Sequence, residues 1–251
     1  MRILLLSDIH ANLDALEACL AAAPAYDQVF NLGDIVGYGA NPKEVIAKSR
    51  QLGNTFVRGN HDKACSGITS LEGFNPIAGL AVLWTQKRLD AEELEFLRGL
   101  PMGPISPLAG MECVHGSARD EDQYVLSARD AFSLLEQSSA TLTFFGHTHI
   151  QSGFRLEQNN RQGQLFVPRY QSPQGKQQFQ LHLQQNTKYM INPGSIGQPR
   201  DNDPRAAFVL YDTEAATITF YRVPYDVPAA QKKILAAGLP DRLAERLAEG
   251  R

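Results

Sequence analysis

The first sixty residues alternate between short apolar runs and stretches whose apolar residues recur at helical spacing. Ile3–Leu6 is an unbroken apolar run, which is typical of a strand buried on both faces. The pattern then predicts a helix at Leu13–Leu20 with Asn12 as its N-cap, a strand at Gln28–Leu32, a helix at Pro42–Gln51 and a strand at Thr55–Val57. Strands that alternate with helices in this way form a parallel sheet with right-handed crossovers.

The remainder of the chain predicts further helices and a second sheet. Apolar stripes indicate two helices between residues 75 and 100, a helix at Ala128–Gln137 and two short closing helices. Strands are predicted at Met111–Val114 and Leu142–Phe145, and alternation predicts β-hairpins from there to about residue 222. A second sheet that begins near residue 104 and resumes at residue 151 would stack on the parallel sheet.

The predicted elements indicate an α/β protein with one domain over residues 1–251. Its expected architecture is a four-layer α-β-β-α sandwich, in which helices flank two mixed sheets. Residues 158–185 are rich in glutamine, at ten of 28 positions, and poor in apolar residues. We therefore expect this segment to be an exposed hairpin or a loop insertion.

Composition and charge exclude several classes of protein. The net charge is −3 and no long basic run is present, which argues against a protein that coats duplex nucleic acid. The three cysteines are scattered without metal-knuckle spacing, which favours a reducing compartment. The N-terminal apolar run of about four residues is too short for a signal peptide, and nothing approaches membrane-spanning length. We expect a cytoplasmic protein.

Five polar clusters follow predicted strands: Asp8-x-His10, Gly33-Asp34, Gly59-Asn60-His61-Asp62, His115-Gly116 and Gly146-His147-x-His149. These clusters contain five of the six histidines in the chain. In an extended segment residues i and i+2 point the same way, so Asp8 and His10 could converge on one point, as ligands of a first-row divalent metal do. Any single cluster could equally be a capped turn or a buried histidine. Five at strand ends together indicate a metal site.

The order DxH, GD, GNHD, HG, GHTH resembles the calcineurin-like metallophosphoesterase superfamily, and the segment Asn192–Arg200 resembles its small bacterial and archaeal phosphodiesterase branch. The resemblance implies two divalent cations drawn from Mn, Fe, Zn, Co and Ni. It assigns one ion to Asp8, His10 and His149 and the other to Asn60, His115 and His147, with Asp34 bridging. Two such ions keep a net positive charge against two aspartates and a bridging hydroxide. That hydroxide is expected to attack the phosphorus.

His61 has no ion to bind in this scheme, because its neighbour Asn60 is the ligand. It is the candidate general acid that protonates the departing oxygen, with Asp62 orienting it or raising its pKa. The alternative is that His61 only caps its loop.

Three further residues are candidates for contacts with substrate. Arg200 is a candidate phosphate clamp, or else a partner of Asp201 or Asp203 in a salt bridge at the rim. Asn12 and Tyr38 follow metal motifs directly, but Asn12 could instead cap its helix and Tyr38 could simply pack.

The resemblance implies hydrolysis of small phosphate esters, chiefly phosphodiesters. From charge and composition we expect no contact with membrane or duplex nucleic acid. The alternatives are a phosphomonoesterase or nucleotide pyrophosphohydrolase and, from another class, a metal-binding interaction module without activity. After Asp34 the chain reads Ile-Val-Gly-Tyr-Gly, where the phosphoprotein phosphatases of the superfamily carry Asp-Arg-Gly, which argues against a phosphoprotein substrate. No basic groove or aromatic cluster indicates a nuclease. The sequence leaves the oligomeric state open.

Overall fold

The computed structural model describes residues 1–159 and 161–251, and within them the chain forms eleven strands and eight helices. The strands are β1 (Arg2–Leu6), β2 (Gln28–Asn31), β3 (Thr55–Phe56), β4 (Met111–Cys113), β5 (Leu142–Phe144), β6 (Ser152–Glu157), β7 (Gly163–Phe166), β8 (Gln177–His182), β9 (Thr187–Asn192), β10 (Ala206–Asp212) and β11 (Thr217–Val223). The helices are α1 (Leu13–Ala22), α2 (Pro42–Leu52), α3 (Asn60–Ser66), α4 (Pro76–Gln86), α5 (Ala91–Arg98), α6 (Ala128–Gln137), α7 (Val227–Ala236) and α8 (Asp241–Glu249).

β1 lies inside the first sheet, whose strand order is β3-β2-β1-β10-β11-β8. It runs parallel to β2 and antiparallel to β10. The sequence placed all later strands in the second sheet, but β8, β10 and β11 extend the first. The reason lies in β10, whose first five residues are fully buried. A buried strand needs a hydrogen-bonded neighbour on each side, and β1 and β11 supply both.

The second sheet has the order β4-β5-β9-β6-β7. The glutamine-rich residues 158–185 contain β7, which pairs with β6 at one edge of this sheet, and β8, which pairs with β11 at one edge of the first sheet. The segment therefore supplies the second strand of a β6–β7 hairpin, which is one of the two expected forms, and then connects this edge with an edge of the other sheet. Its side chains alternate between exposed and half-buried along β8, as the low apolar content indicated.

The alternation of side chains along β1 divides the apolar core into layers. Ile3 and Leu5 face the second sheet and pack in one cluster with Phe144 of β5. Leu4 and Leu6 face the other way, against helices that include α1 and α2. On the outside of the second sheet, α6 packs against β6 and β9. The expected four-layer sandwich of two mixed sheets is confirmed. No helix in the described residues is long and apolar enough to cross a membrane.

The five polar clusters all follow strands that have a parallel neighbour. β1, β2 and β3 are mutually parallel in the first sheet, and β4 and β5 are parallel in the second. The carboxyl ends of parallel strands lie at one edge of a sheet, so the clusters meet at one end of the sandwich. One element was missed by the sequence analysis: Asn60 and His61 begin the short helix α3 and do not lie in a loop.

Candidate metal centre

The loop after β1 brings Asp8 and His10 together through left-handed backbone. The φ angles of Asp8, His10 and Ala11 are +51°, +50° and +52°. The segment is therefore not extended. Asp8 and His10 converge as predicted, but they do so through left-handed backbone and not through the i, i+2 alternation of an extended strand. Left-handed backbone is costly for residues other than glycine, and such strain clusters where function fixes the geometry.

The same backbone conformation recurs in the other motifs. Asp34, His147 and His149 have φ angles of +55°, +66° and +59°. Asp34 lies at the centre of the resulting cluster: Nε2 of His10 and Nε2 of His115 each lie 3.5 Å from its Oδ2. His149 Nε2 lies 3.3 Å from Asp8 Oδ1.

Two groups of side chains place their ligand atoms within 4.8 Å of one another, and both contain Asp34. The first group is Asp8, His10, Asp34 and His149, and the second is Asp34, His115 and His147. All of these side chains are buried. Six of the seven sequence-predicted ligands therefore converge, with Asp34 shared between the two groups.

The ring orientation of His10 and His149 is fixed by main-chain carbonyls. His10 Nδ1 donates to the carbonyl of Val36 at 3.1 Å, and His149 Nδ1 donates to that of Gln198 at 2.6 Å. A carbonyl oxygen carries no proton, so each Nδ1 must be the protonated nitrogen of a neutral ring. The two Nε2 atoms, which face each other at 3.1 Å, are then both unprotonated. Two lone pairs aimed at one point are an arrangement that could hold a cation.

His115 and His147 repeat this arrangement with different atoms. His115 Nδ1 donates to the carbonyl of Leu32 at 2.8 Å, and His147 Nε2 donates to that of Asp122 at 3.0 Å. His115 Nε2 and His147 Nδ1 are left 3.1 Å apart. The second histidine pair thus also directs ring nitrogens at a shared point.

Asn60 supplies the remaining predicted ligand. Its side-chain Oδ1 is buried and has no hydrogen-bond partner in the described part of the chain. A buried carbonyl oxygen without a partner is costly unless something else binds it. The mixed nitrogen and oxygen donor set suits first-row transition metals and fits the two implied cations.

The ionisation of the cluster shows how strongly its charges interact. Burial opposes charge on His115, but the carboxylates of Asp34 and Asp8 outweigh it and raise the pKa of His115 to about 10. Burial raises the pKa of Asp8 to about 7, and the charge of Asp34 acts in the same direction. Without metal, a proton on His115 therefore carries the positive charge that the carboxylates require.

His61 lies beside this cluster. Its ring is 4.9 Å from that of His10 and 4.4 Å from that of Tyr38, and its buried Nδ1 has no hydrogen-bond partner among the described residues. A side chain at Gly37, where φ is +90°, would come within 2.5 Å of this Nδ1, so only glycine leaves room for the imidazole. Burial lowers the pKa of His61 to about 4.

The expected action of Asp62 on His61 is not met. The two carboxylate oxygens of Asp62 accept main-chain N–H groups of Asp34, Ile35, Val36 and Gly59 at 2.8–3.2 Å. Asp62 therefore fixes the loop that carries Asp34, and the pKa of His61 is lowered and not raised. The Asp62 carboxylate accepts main-chain N–H groups that have no main-chain acceptor in the two turns. The sequence alone does not show that these N–H groups need a side-chain acceptor.

Arg200 lies against the cluster and not in a rim salt bridge. Its main-chain nitrogen donates to the carbonyl of His149 at 3.1 Å, and Nη2 donates to the Tyr38 hydroxyl at 3.3 Å. Asp201 pairs with Arg222 and Asp203 with Arg205, which excludes the alternative partners.

Asn12 and Tyr38 differ in their relation to the cluster. The Asn12 side chain accepts the N–H of Ala15 at 3.1 Å, which confirms the helix cap, and its amide donates to Gly197 and Tyr225. Tyr38 is 8% exposed, and its ring lies 4.6 Å from the ring of His10. The structure thus gives Asn12 a structural task, whereas Tyr38 faces the cluster.

The sequence analysis missed the segment that supports His147. Besides the Asp122 carbonyl, the ring of Tyr124 stacks on that of His147 with a centroid distance of 3.8 Å. The buried Lys63 holds this segment, because its Nζ lies 2.7 Å from Asp122 and 3.0 Å from Glu121. The only signal in the sequence was the position of Lys63, directly after Gly-Asn-His-Asp.

Comparison with known proteins accounts for this arrangement. The family model described as the calcineurin-like phosphoesterase superfamily domain matches residues 1–216. The chain belongs to the calcineurin-like phosphoesterase superfamily. Members of this superfamily use dinuclear metal centres. The two groups of buried histidines and aspartates described above could bind such metal ions.

Three relatives of this superfamily member match it over nearly its whole length. The uncharacterized protein MJ0912 of Methanocaldococcus jannaschii is 37% identical over 257 residues, which cover 99% of this chain and 98% of the relative. A metallophosphoesterase from Sphaerobacter thermophilus has a crystal structure with a TM-score of 0.88 and 40% identity, covering 100% of this chain and 99% of that one. The hypothetical protein PH1004 from Pyrococcus horikoshii shares the fold, with a TM-score of 0.77, 20% identity and coverage of 100% and 98%.

Proposed function

We propose that this protein is a dinuclear metal-dependent phosphoesterase that hydrolyses small phosphate esters, chiefly phosphodiesters. One observation supports this more than any other: four buried histidines direct ring nitrogens in pairs at two points beside Asp34, and in the pair of His10 and His149 both of these nitrogens are unprotonated. The facing pair of His10 and His149 has no structural use of its own, because its two lone pairs repel each other. The membership of the superfamily supports the phosphate-ester class.

Asp8, His10 and His149 would hold one ion, and Asn60, His115 and His147 the other, with Asp34 between them. When bound, two divalent cations supply positive charge for the phosphoryl oxygens and an activated water. Arg200, whose Nε has no partner in the described residues, would bind a phosphate oxygen. Asp62 and the Asp122 carbonyl would keep the ligands in place.

His61 would donate the proton that the departing oxygen needs. Burial and the charge of Arg200 both lower its pKa in the free protein. An anionic phosphate bound beside His61 would oppose both causes and raise that pKa toward neutrality, where proton donation is most effective.

The preference for diesters rests on the segment after Asp34. Tyr38 occupies this side of the site with its buried ring, and no arginine follows Asp34. A monoester brings a second negative charge to the scissile phosphate, and Arg200 alone would contact that phosphate, with no second arginine from the segment directly after Asp34 to balance the added charge. The runner-up activities are a phosphomonoesterase or nucleotide pyrophosphohydrolase.

Hydrolysis of bis-p-nitrophenyl phosphate and p-nitrophenyl phosphate, each with added Mn²⁺, tests the proposal. The expected result is activity on both, with a higher kcat/KM for the diester. Asp34→Asn should abolish the activity on both esters. Glu17→Gln, the same chemical change on the exposed face of α1, should leave that activity unchanged. A higher kcat/KM for the monoester would favour the runner-up, and activity on neither ester at full metal loading would favour an interaction module.

A further inference from the structure

Two arginines approach one tyrosine at the side of the metal cluster. The guanidinium carbon Cζ of Arg200 lies 6.0 Å from the centroid of the Tyr38 ring, and that of Arg246 lies 5.9 Å from the same centroid. Arg200 belongs to the connection between β9 and β10, and Arg246 belongs to α8. The fold thus brings two positive charges from distant parts of the chain to one aromatic ring.

No carboxylate side chain in the described residues forms a salt bridge with either arginine. Two carboxylates that are close to them in the sequence pair with other arginines: Asp203 with Arg205, and Glu249 with Arg242. Arg246 Nε donates to the main-chain oxygen of Arg251 at 2.7 Å. Burial and the charge of Arg200 both lower the pKa of Arg246. Like charges held together without a salt bridge to an acid are typical of an anion site.

Contacts of Tyr38 place this pair beside the reaction centre. The Tyr38 ring contacts His10 and His61, and its hydroxyl accepts a hydrogen bond from Arg200. A group held by the two arginines would therefore lie next to a phosphate at the metal cluster.

We propose that Arg246, together with Arg200 and Tyr38, binds a second phosphate group of the substrate, and that the protein prefers phosphodiesters that carry such a group. This inference rests on the proposed function. Two divalent cations against two aspartates already leave the cluster positive, so the arginines are not needed to balance it. A simple diester brings one negative charge, which the cluster and Arg200 would meet, whereas a second phosphate brings about two more at neutral pH, for which Arg246 supplies a further cation beside Arg200.

Two esters that differ by one phosphate test the preference: thymidine 5′-p-nitrophenyl phosphate with a free 3′-hydroxyl, and the same compound with a 3′-phosphate. Both release p-nitrophenolate, so the leaving group is constant. The wild-type protein should have about a tenfold higher kcat/KM for the 3′-phosphorylated ester, as expected for one charge-assisted contact. Arg246→Gln should reduce that ratio to near one, and Arg246→Lys should keep part of it.

Arg88→Gln is the matched control, because Arg88 also stacks on an aromatic ring. Its Cζ lies 4.4 Å from the centroid of the Trp84 ring. It should leave the ratio between the two esters unchanged. A wild-type ratio near one, or an unchanged ratio in Arg246→Gln, overturns the inference while leaving the phosphoesterase proposal in place.

Calorimetric binding of inorganic pyrophosphate to the metal-loaded protein gives a readout that does not need turnover. The dissociation constant should rise about tenfold in Arg246→Gln and stay constant in Arg88→Gln. If neither ester is hydrolysed, the proposed function fails, and this measurement still decides the anion site. Equal pyrophosphate affinity in wild type and Arg246→Gln would refute it. Thermal unfolding of Arg246→Gln checks that α8 remains packed.

Discussion

Nε2 of His10 and Nε2 of His149 face each other at 3.1 Å, although the two residues are 139 positions apart in the chain. Neither nitrogen can donate, because the proton of each ring is held at Nδ1 by a main-chain carbonyl. The pair is therefore repulsive as it stands and becomes attractive when a cation lies between the two atoms.

His149→Ala should lower the bound metal from two equivalents to about one. The substitution removes one of the two facing lone pairs, so the affinity of that position should fall by more than the roughly 10–100-fold that loss of a supporting hydrogen bond costs. Elemental analysis after dialysis measures the metal content. His182→Ala, an exposed histidine on β8, should keep two equivalents. Full metal content in His149→Ala would contradict the assignment.

Metal uptake should release protons, because the pKa of His115 in the metal-free protein is raised to about 10. At pH 8 His115 is protonated while Asp8, with a pKa of about 7, is mostly ionised. Binding at the position of His115 and His147 should thus release about one proton, and affinity should rise about tenfold per pH unit until pH approaches 10. Calorimetry in two buffers of different ionisation enthalpy counts the protons. No release in the wild-type protein would show that His115 is not a ligand.

His61→Ala should leave both metal equivalents in place and slow the hydrolysis of esters with poor leaving groups most. A general acid contributes roughly 10²–10⁴-fold, and p-nitrophenolate needs that proton least. A series of diesters with leaving groups of rising pKa should therefore show a steeper dependence of kcat on leaving-group pKa in the variant. Equal loss across the series would leave His61 as a packing residue.

Lys63→Met should weaken the second metal position from a distance. The substitution leaves Asp122 and Glu121 without their buried cation, and Asp122 carries the carbonyl that orients His147. We expect about 1–3 kcal/mol of lost stability, since Asp122 is partly exposed, and a 10–100-fold loss of metal affinity. Urea unfolding and a metal titration measure the two effects.

Lys43→Met is the control for this substitution. Lys43 also contacts two carboxylates, those of Asp90 and Glu93, but its side chain is 47% exposed against 4% for Lys63. Lys43→Met should lower the free energy of unfolding by no more than about 1 kcal/mol and leave metal binding intact. Similar effects in the two variants would mean that the buried contact does not position His147.

The local pattern of the sequence predicted the layers of the fold and the polar clusters at the strand ends, whereas the ligand set was implied by the family resemblance and stays a prediction. An apolar run such as Ile3–Leu6 specifies a buried strand, and a polar motif directly after it must lie at the sheet edge. The assignment of strands to sheets was less accessible, because the pairing of β10 with β1 joins residues about 200 positions apart. Nothing in the apolar pattern near residue 206 distinguishes the two sheets.

The contacts around the ligands were hidden for a related reason. Tyr124 and Arg246 belong to no sequence motif. Tyr124 reaches the site through the packing of its loop, and Arg246 through the packing of α8. The sequence also treated Asp62 as a partner of His61, since the two are adjacent, whereas the carboxylate satisfies main-chain groups of the Asp34 loop. Side-chain direction depends on backbone angles such as those at Asp8 and His10, which the sequence does not show.

The connection between β9 and β10 has a consequence for how the protein is made. Ser195 donates to the carbonyl of Asp8 across 187 positions of chain, and the Gln198 carbonyl sets the proton on His149. A nascent chain that has just emerged to residue 150 already contains every proposed metal ligand. Ser195 and Gln198, which hold Asp8 and His149 in place, are not yet synthesised at that stage. Tight capture of the ions should therefore be a late event in biosynthesis. Stalled ribosome complexes of increasing length would reveal the step as an abrupt gain in retained metal beyond residue 200.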